Sequence, residues 1–243
     1  ASRFFDELIA RRSIDFVVRG DGELPLLRLA RHVLTRSAAE PGSPAAPPLE
    51  AIPNLVWRGP DGLPRVNPLS FQVEPEAMGD VSHARLDLLL DAPAYFSTDR
   101  VLYKDFDDRI AAHAQDFFAG AFYAMPGRGC PYDCSFCGGG RLAQRAMAGR
   151  RRIGFFPDAR ILADWRAVHA AGIRTLRISF DPDPQRRTYA RLFAALREEG
   201  LDFTLVFDCW TPPSEAFVQE VAATFRPGSL LALSPDAGDR KSV

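Results

Sequence analysis

Residues 120–140 read GAFYAMPGRGCPYDCSFCGGG. Ala121 to Met125 is a short apolar, β-favouring run and predicts a buried strand. A turn through Pro126-Gly127-Arg128-Gly129 leads to Cys130, Cys134 and Cys137, spaced Cys-x3-Cys-x2-Cys, and then to Gly138, Gly139 and Gly140. Three thiols this close in the chain chelate a soft metal or a cluster, because so short a loop wraps a single centre. A closed structural zinc site needs a fourth ligand, and neither His nor a further Cys is near. Asp133 is the available substitute, yet carboxylates are uncommon in such sites. A [4Fe–4S] cluster on three thiolates keeps one iron open for a substrate or cofactor. The glycines let the backbone wrap the cluster and point N–H groups at sulfur or carboxylate. A zinc knuckle or a redox-sensing trio is the alternative.

Downstream of this loop the pattern alternates helix and strand. Residues 158–171 predict a helix with Ile161, Leu162, Trp165 and Val168 on one face, closed by Gly172. Arg174 to Phe180 alternates, with Leu176, Ile178 and Phe180 on one side. A helix over 185–199 aligns Tyr189, Leu192, Phe193 and Leu196 and closes at Gly200. Phe203 to Phe207 is a strand, 214–225 a helix with Phe217, Val218, Val221 and Phe225, and Ser229 to Leu233 a last strand. Three βα units and a fourth strand predict a parallel sheet or a (βα) barrel. Polar groups follow each strand: Ser179, Asp181 and Asp183; Asp208, Cys209 and Trp210; Ser234, Asp236 and Asp239. Each can equally be a helix cap. Cys209 is either packing or a strand-end thiol that acts on a radical or a methyl group.

Upstream, Ile14 and Phe16 to Val18 form a short strand ending in Gly20-Asp21-Gly22-Glu23. A helix follows with Leu26, Leu27, Ala30, Val33 and Leu34 at helical spacing, Asp21 as N-cap and Pro25 in the first turn. Glycines at a strand's carboxyl end mark the ligand-binding edge of open α/β sheets. Residues 37–50 (SAAEPGSPAAPPLE) read as an exposed Pro-rich loop. Asn54 to Arg58, a turn at Gly59-Pro60-Asp61-Gly62 and a return through Val66 read as a hairpin. Leu86 to Leu90 and Ile110 to Phe118 are expected as helices of a connector. His32, His83, His113 and His169 fall on helices or connectors and are expected at the surface or in packing.

The whole chain has 243 residues, 30 basic and 31 acidic, for a net charge of −1. That balance argues against a dedicated nucleic-acid binder. No apolar run suits a membrane span, and no secretory leader follows Ala1. Four cysteines in 243 residues are too few for a disulfide scaffold.

The cysteine motif after a strand resembles that of the radical S-adenosylmethionine (SAM) superfamily. The resemblance implies that Cys130, Cys134 and Cys137 each bind one iron of a [4Fe–4S] cluster and that the fourth iron chelates SAM. It places Phe136 near the adenine and Gly138 and Gly139 beside the cofactor. It implies reductive cleavage of SAM to a 5′-deoxyadenosyl radical at the top of a partial (βα)6 barrel. The family often has Gly-Gly-Glu after the second strand. This chain has Ser179-Phe180-Asp181-Pro182-Asp183 there, so Asp181 is carried over as a SAM contact, with Ser234 and Asp236 after the fourth strand.

Residues 15–23 (DFVVRGDGE), the helix and Ile52 to Arg58 resemble the end of the cobalamin-binding domain that some of these proteins carry, with Asp21 in place of the usual Glu. This implies that Gly20, Gly22 and Glu23 lie on the cobalamin side, although no Asp-x-His-x-x-Gly ligand motif is present. The most common chemistry of that group is methylation of an unactivated centre. Rearrangement or oxidation through the 5′-deoxyadenosyl radical is the second expectation. A non-catalytic zinc-binding module is the third. The resemblance further implies a small-molecule or peptide substrate, a reducing partner such as flavodoxin or ferredoxin, and a cytoplasmic setting.

The expected fold class is α/β: the end of a Rossmann-like cobalamin-binding domain joined to the first half of a partial barrel. The expected boundaries are 1–69 for the first domain, 70–119 for a linker and 120–243 for barrel strands one to four. Both domains are expected to be truncated, and the chain alone inactive.

Overall fold

In the computed structural model the described residues are 4–37, 46–92, 96, 120–134 and 137–233. They divide into two units, residues 1–74 with 129–153 and residues 75–128 with 154–243. No helix among the described residues is long and apolar enough to cross a membrane.

In the first unit, alternation and a tight turn build a small antiparallel sheet. The strands β1 (Phe16–Val18), β2 (Leu55–Arg58) and β3 (Pro64–Val66) pair in that order, with Val17 opposite Val56 and Val56 opposite Val66. Asp61 takes the Leu63 N–H at 3.1 Å, and Gly62 adopts φ +79°, which closes the turn that the Pro-Asp-Gly sequence predicts. One face of the sheet packs Val17 and Val56 on Ile9 of helix α1 (Phe5–Ala10). The other packs Leu55 and Trp57 on Ile52 and on Leu29 of α2 (Glu23–Ser37).

Here two expectations give way. Leu26, Leu27, Val33 and Leu34 are 42–67% exposed, while Pro25 and His32 are the buried residues of that helix. Three strands of three or four residues present too narrow a face to cover the whole apolar stripe, so only the side bearing Leu29 is used. Gly22, not Asp21, immediately precedes the helix, and Asp21 is buried with its carboxylate committed elsewhere. His32 donates Nδ1–H to Pro47 O at 2.7 Å.

In the second unit, β4 (Ala121–Ala124), β7 (Thr175–Ile178), β8 (Thr204–Cys209) and β9 (Leu230–Leu233) form a parallel sheet in that order. The helices α4 (Asp158–Ala170), α5 (Arg187–Glu198) and α6 (Glu215–Thr224) connect the strands in turn. Glycines with positive φ close the first two at Gly172 and Gly200, and Ser214 caps the third by accepting Phe217 N–H at 3.2 Å. The mixed α/β class with a parallel sheet therefore stands as the pattern predicted. Leu176, Ile178, Leu205 and Phe207 are fully buried on one face, where Phe207 meets Tyr189 and Phe217 edge-on at 4.9 and 5.3 Å. Around Leu86 to Leu90 the chain forms only a 3-10 turn, Leu86–Leu88, and Ile110 to Phe118 lies outside the described residues. Asp164 organises the connector: it accepts from Ser82 Oγ at 2.7 Å, His83 N–H at 3.0 Å and Arg160 at 2.6 Å.

Between β4 and α4 the sequence reading missed a clasp. Strand β5 (Gly127–Arg128) pairs antiparallel with β6 (Gly154–Phe155), so the chain leaves and returns through adjacent positions. A side chain at Gly127 has no room, because its Cβ would overlap the Phe180 ring and Gly154 O. Gly127→Ala is expected to lower stability by about 1–3 kcal/mol through overpacking, read as a lower urea midpoint at unchanged slope.

Asp202 yields a second expectation. It accepts from His169 Nε2 at 2.8 Å and pairs with Arg226, and these partners lower its pKa from 3.8 to about 2. The folded value lies below the unfolded one, so this contribution is complete above the unfolded value and is lost as pH falls toward the folded one. Urea midpoints of the parent and Asp202→Asn, taken from about pH 5 to about pH 2, should converge as acid removes what the substitution removes.

Candidate functional site

Cys130, Cys134 and Cys137 sit on the loop ahead of helix α3 (Arg141–Ala148), in the first unit. Cys134 and Cys137 are exposed and Cys130 is half-buried. The loop is built by short-range bonds: Cys137 N–H donates to Cys134 O at 3.1 Å and Arg141 N–H to Tyr132 O at 2.8 Å. Asp133 holds it on the helix. One carboxylate oxygen accepts Leu142 N–H at 2.9 Å and the other takes the Arg141 guanidinium. The Arg141 hydrogen bond keeps the Asp133 carboxyl below its usual range, so it serves as an anion at the helix N-terminus. Asp133 is therefore spent on the loop's shape.

The thiols share one electrostatic neighbourhood. Burial foremost pushes the Cys130 thiol above its ordinary range, against the contact of its Sγ with Tyr132 O at 3.9 Å, and the neighbouring Cys134, Cys137 and Asp133 add to the rise. Among the described residues no three metal-ligating side chains converge on one point, so the thiols share a loop without being closed on a centre. The donor set nevertheless fits an iron–sulfur cluster. All three donors are soft, two are open to solvent, and Gly139 N–H already donates to Cys137 Sγ at 3.3 Å. Gly140 admits no side chain, since its Cβ would lie 2.9 Å from Tyr132 O, whereas Gly138 has open space around it. Phe136, Ser234 and Asp236 lie outside the described residues.

At the carboxyl ends of the parallel strands, Asp181 is 1% exposed and so is Arg186. Asp181 Oδ2 accepts from Arg186 at 2.6 Å and from Trp210 N–H at 2.9 Å, and Arg186 donates to Thr211 O at 2.7 Å. The pair bolts the loop after β7 to the loop after β8. It lies against aromatic rings, with the guanidinium 4.9 Å from the centroid of Phe217. Arg186 adopts φ +50°, a conformation a non-glycine residue rarely takes and one that these contacts compensate. Asp181 thus faces protein on the bonds it makes. Asp183 accepts Gln185 and Arg187 N–H at 2.9 and 3.1 Å and caps α5. Cys209 extends the row of Leu205 and Phe207 on the helix-covered face, and burial raises its thiol above the ordinary range. That is the condition of a packing cysteine. Gly20, Gly22 and Glu23 lie in the first unit at the start of α2.

The opposite face of the parallel sheet carries a polar set in which Ser179 and Asp208 are expected strand-end groups and Arg177 and Tyr123 are additions. Arg177 donates to Asp208 Oδ2 at 3.2 Å, Ser179 Oγ donates to the same oxygen, and the Arg177 guanidinium lies 5.2 Å from the Tyr123 ring centroid. Tyr123 and Met125 beside them are about half exposed. Strand β8 runs on through Cys209, which brings Asp208 into the strand instead of the loop after it. The signal was present as polar residues two apart, Arg177 and Ser179, next to a strand with Asp208 as its penultimate residue. Central parallel strands are usually apolar on both faces, so charged groups there mark a face that meets something other than core.

No family model matches the chain, nor does any curated protein. Among solved structures the chain is similar to a radical S-adenosylmethionine methyltransferase, with a TM-score of 0.56 and 20% identity. That neighbour is TsrM from Kitasatospora setae, whose structure has cobalamin and a [4Fe–4S] cluster bound. The likeness covers 97% of this chain and 40% of that one, so this chain spans well under half of the neighbour's length. At this identity it is a likeness of fold.

Breaking the buried pair tests its place in the structure. Arg186→Met leaves Asp181 buried without its cation and is expected to cost about 3–5 kcal/mol. The double variant Asp181→Leu with Arg186→Met should recover much of that loss in urea unfolding.

Proposed function

We propose that this chain carries the cluster-binding core of a radical SAM enzyme, with Cys130, Cys134 and Cys137 as the three protein ligands of a [4Fe–4S] cluster. On this reading the first unit is the end of a Rossmann-like cobalamin-binding domain, and the parallel sheet is the first half of a partial barrel. Cobalamin is the second cofactor, and the activity is methyl transfer to an unactivated centre of a small molecule or peptide. The observation that carries the proposal is the Cys-x3-Cys-x2-Cys loop, spliced between β5 and β6 directly after the first parallel strand. The likeness to a cobalamin- and cluster-bound methyltransferase supports it at the level of fold.

A cluster held by Cys130, Cys134 and Cys137 would supply low-potential electron transfer, and cobalamin would supply a carrier for a methyl group. The chain's own residues do the rest. The three thiolates bind, Gly139 N–H stabilises charge on sulfur, and Asp133 with Arg141 keeps the loop on α3. The Asp181–Arg186 pair holds two strand-end loops in register, and Arg177, Ser179 and Asp208 offer hydrogen bonds to a polar ligand on the open face of the sheet. A low-potential reductant such as a flavodoxin or ferredoxin completes the requirement.

Anaerobic reconstitution tests this directly. The chain should take up about four irons and four sulfides and absorb near about 400 nm. Alanine at Cys130, Cys134 or Cys137 should abolish that uptake, whereas Cys209→Ala should retain it. A stoichiometric zinc ion without iron or sulfide would show a metal-binding module instead. For the methyl-transfer part, the full-length protein supplied with cobalamin should release S-adenosylhomocysteine. Release of 5′-deoxyadenosine alone would replace methylation by another radical reaction.

A further inference from the structure

Helix α3 follows the cysteine loop and has eight residues, none of them buried. An isolated helix of that length is unstable in water, so something other than its own hydrogen bonds must hold it. Ala143, Met147 and Ala148 are only half-buried along one side, so the ties at its two ends carry much of the hold. The first end is tied to the loop through Asp133 and Tyr132.

The second end is tied to the glycine-rich turn after β1. The helix closes at Gly149 (φ +69°), and Arg150 N–H returns to Gln144 O at 3.2 Å. Arg150 then pairs with Asp21, across 129 residues of sequence, with the two side chains 9% and 6% exposed. Asp21 uses both oxygens, one on Arg150 and the other on Val73 N–H at 2.8 Å. Gly20 lies against the last turn of α3: a Cβ there would be 3.1 Å from Ala148 O and 3.2 Å from Ala148 Cα. Its φ of +65° independently favours glycine. Gly149 is packed just as closely, since its Cβ would meet Gln72 Nε2 at 2.9 Å.

We infer that Gly20 and Asp21, with Val73 and Arg150, are the anchor that positions the cysteine loop through α3. Asp21 is a positioning residue for the cluster-binding thiols. The glycine turn expected to face a cofactor thus packs on this side against the helix that follows the cysteine loop. The inference rests on the proposed function only where it takes those thiols as ligands. The anchor itself does not need a metal.

Hydrogen exchange on the metal-free chain tests the anchor first. Asp21→Asn should speed exchange in residues 141–150 by at least about tenfold and leave residues 158–170 and 187–198 unchanged. Arg150→Gln should do the same. Unchanged exchange in 141–150, or an equal increase throughout, would overturn the anchor. Alkylation of Cys134 and Cys137 should quicken several-fold in the same variants, and Asp21→Glu should restore part of the parent rate. If a variant does not fold, Gly20→Ala gives the same test from the packing side.

After reconstitution, Asp21→Asn should alter the cluster's electron paramagnetic resonance line shape or midpoint potential. An identical signature would remove the positioning role. Failure of the parent chain to take up iron would sink the proposed function and leave the exchange result standing by itself.

Discussion

The guanidinium of Arg186 lies buried against the rings of Phe207 and Phe217 and is paired with the equally buried Asp181. Two charges out of water carry a desolvation cost that their attraction and hydrogen bonds must offset. Asp181 Oδ2 takes Trp210 N–H and Arg186 donates to Thr211 O, while Asp181 Oδ1 and Arg186 Nε are buried without a hydrogen-bond partner among the described residues. The loops after β7 and β8 therefore cannot move independently without exposing or orphaning a charge. The aromatic packing that surrounds the pair also fixes α5 and α6 to the sheet, through Tyr189 and Phe217 on Phe207. One contact group thus joins two strand-end loops to two helices on the same face of the sheet.

Helices cover one face, and the other carries polar groups. Arg177, Ser179 and Asp208 lie on that other face, beside Tyr123 and Met125. Cys209, one residue from Asp208, points the opposite way because strand side chains alternate. The two neighbours illustrate how a single step along a strand separates a half-buried polar group from one committed to the core.

Much of this was readable from the chain. The strands and helices from 158 to 233 follow from apolar spacing, closing glycines and one serine cap, all short-range signals. The cysteine spacing stood out for the same reason. What stayed hidden depended on partners distant in sequence. Asp21 looks like a helix cap until Arg150 is seen beside it. The stripe on α2 looks like a core face until the sheet it meets proves only three short strands wide. Asp181 is carried over as a SAM contact by resemblance, and nothing local reveals Arg186 folding back on it. The β5–β6 clasp is two residues on each side, below what periodicity can register. Phe136, Ser234 and Asp236 lie outside the described residues, so their places rest on the resemblance alone.

The clasp has a consequence for how such a chain can vary. Residues 129–153 begin and end at adjacent positions of a two-residue ladder. Closing a longer loop between the same two points adds only about 0.6 kcal/mol for each doubling of its length. The sheet therefore places little constraint on the length of the cysteine-bearing segment. The strands on either side can stay in register whatever the spacing within that segment becomes.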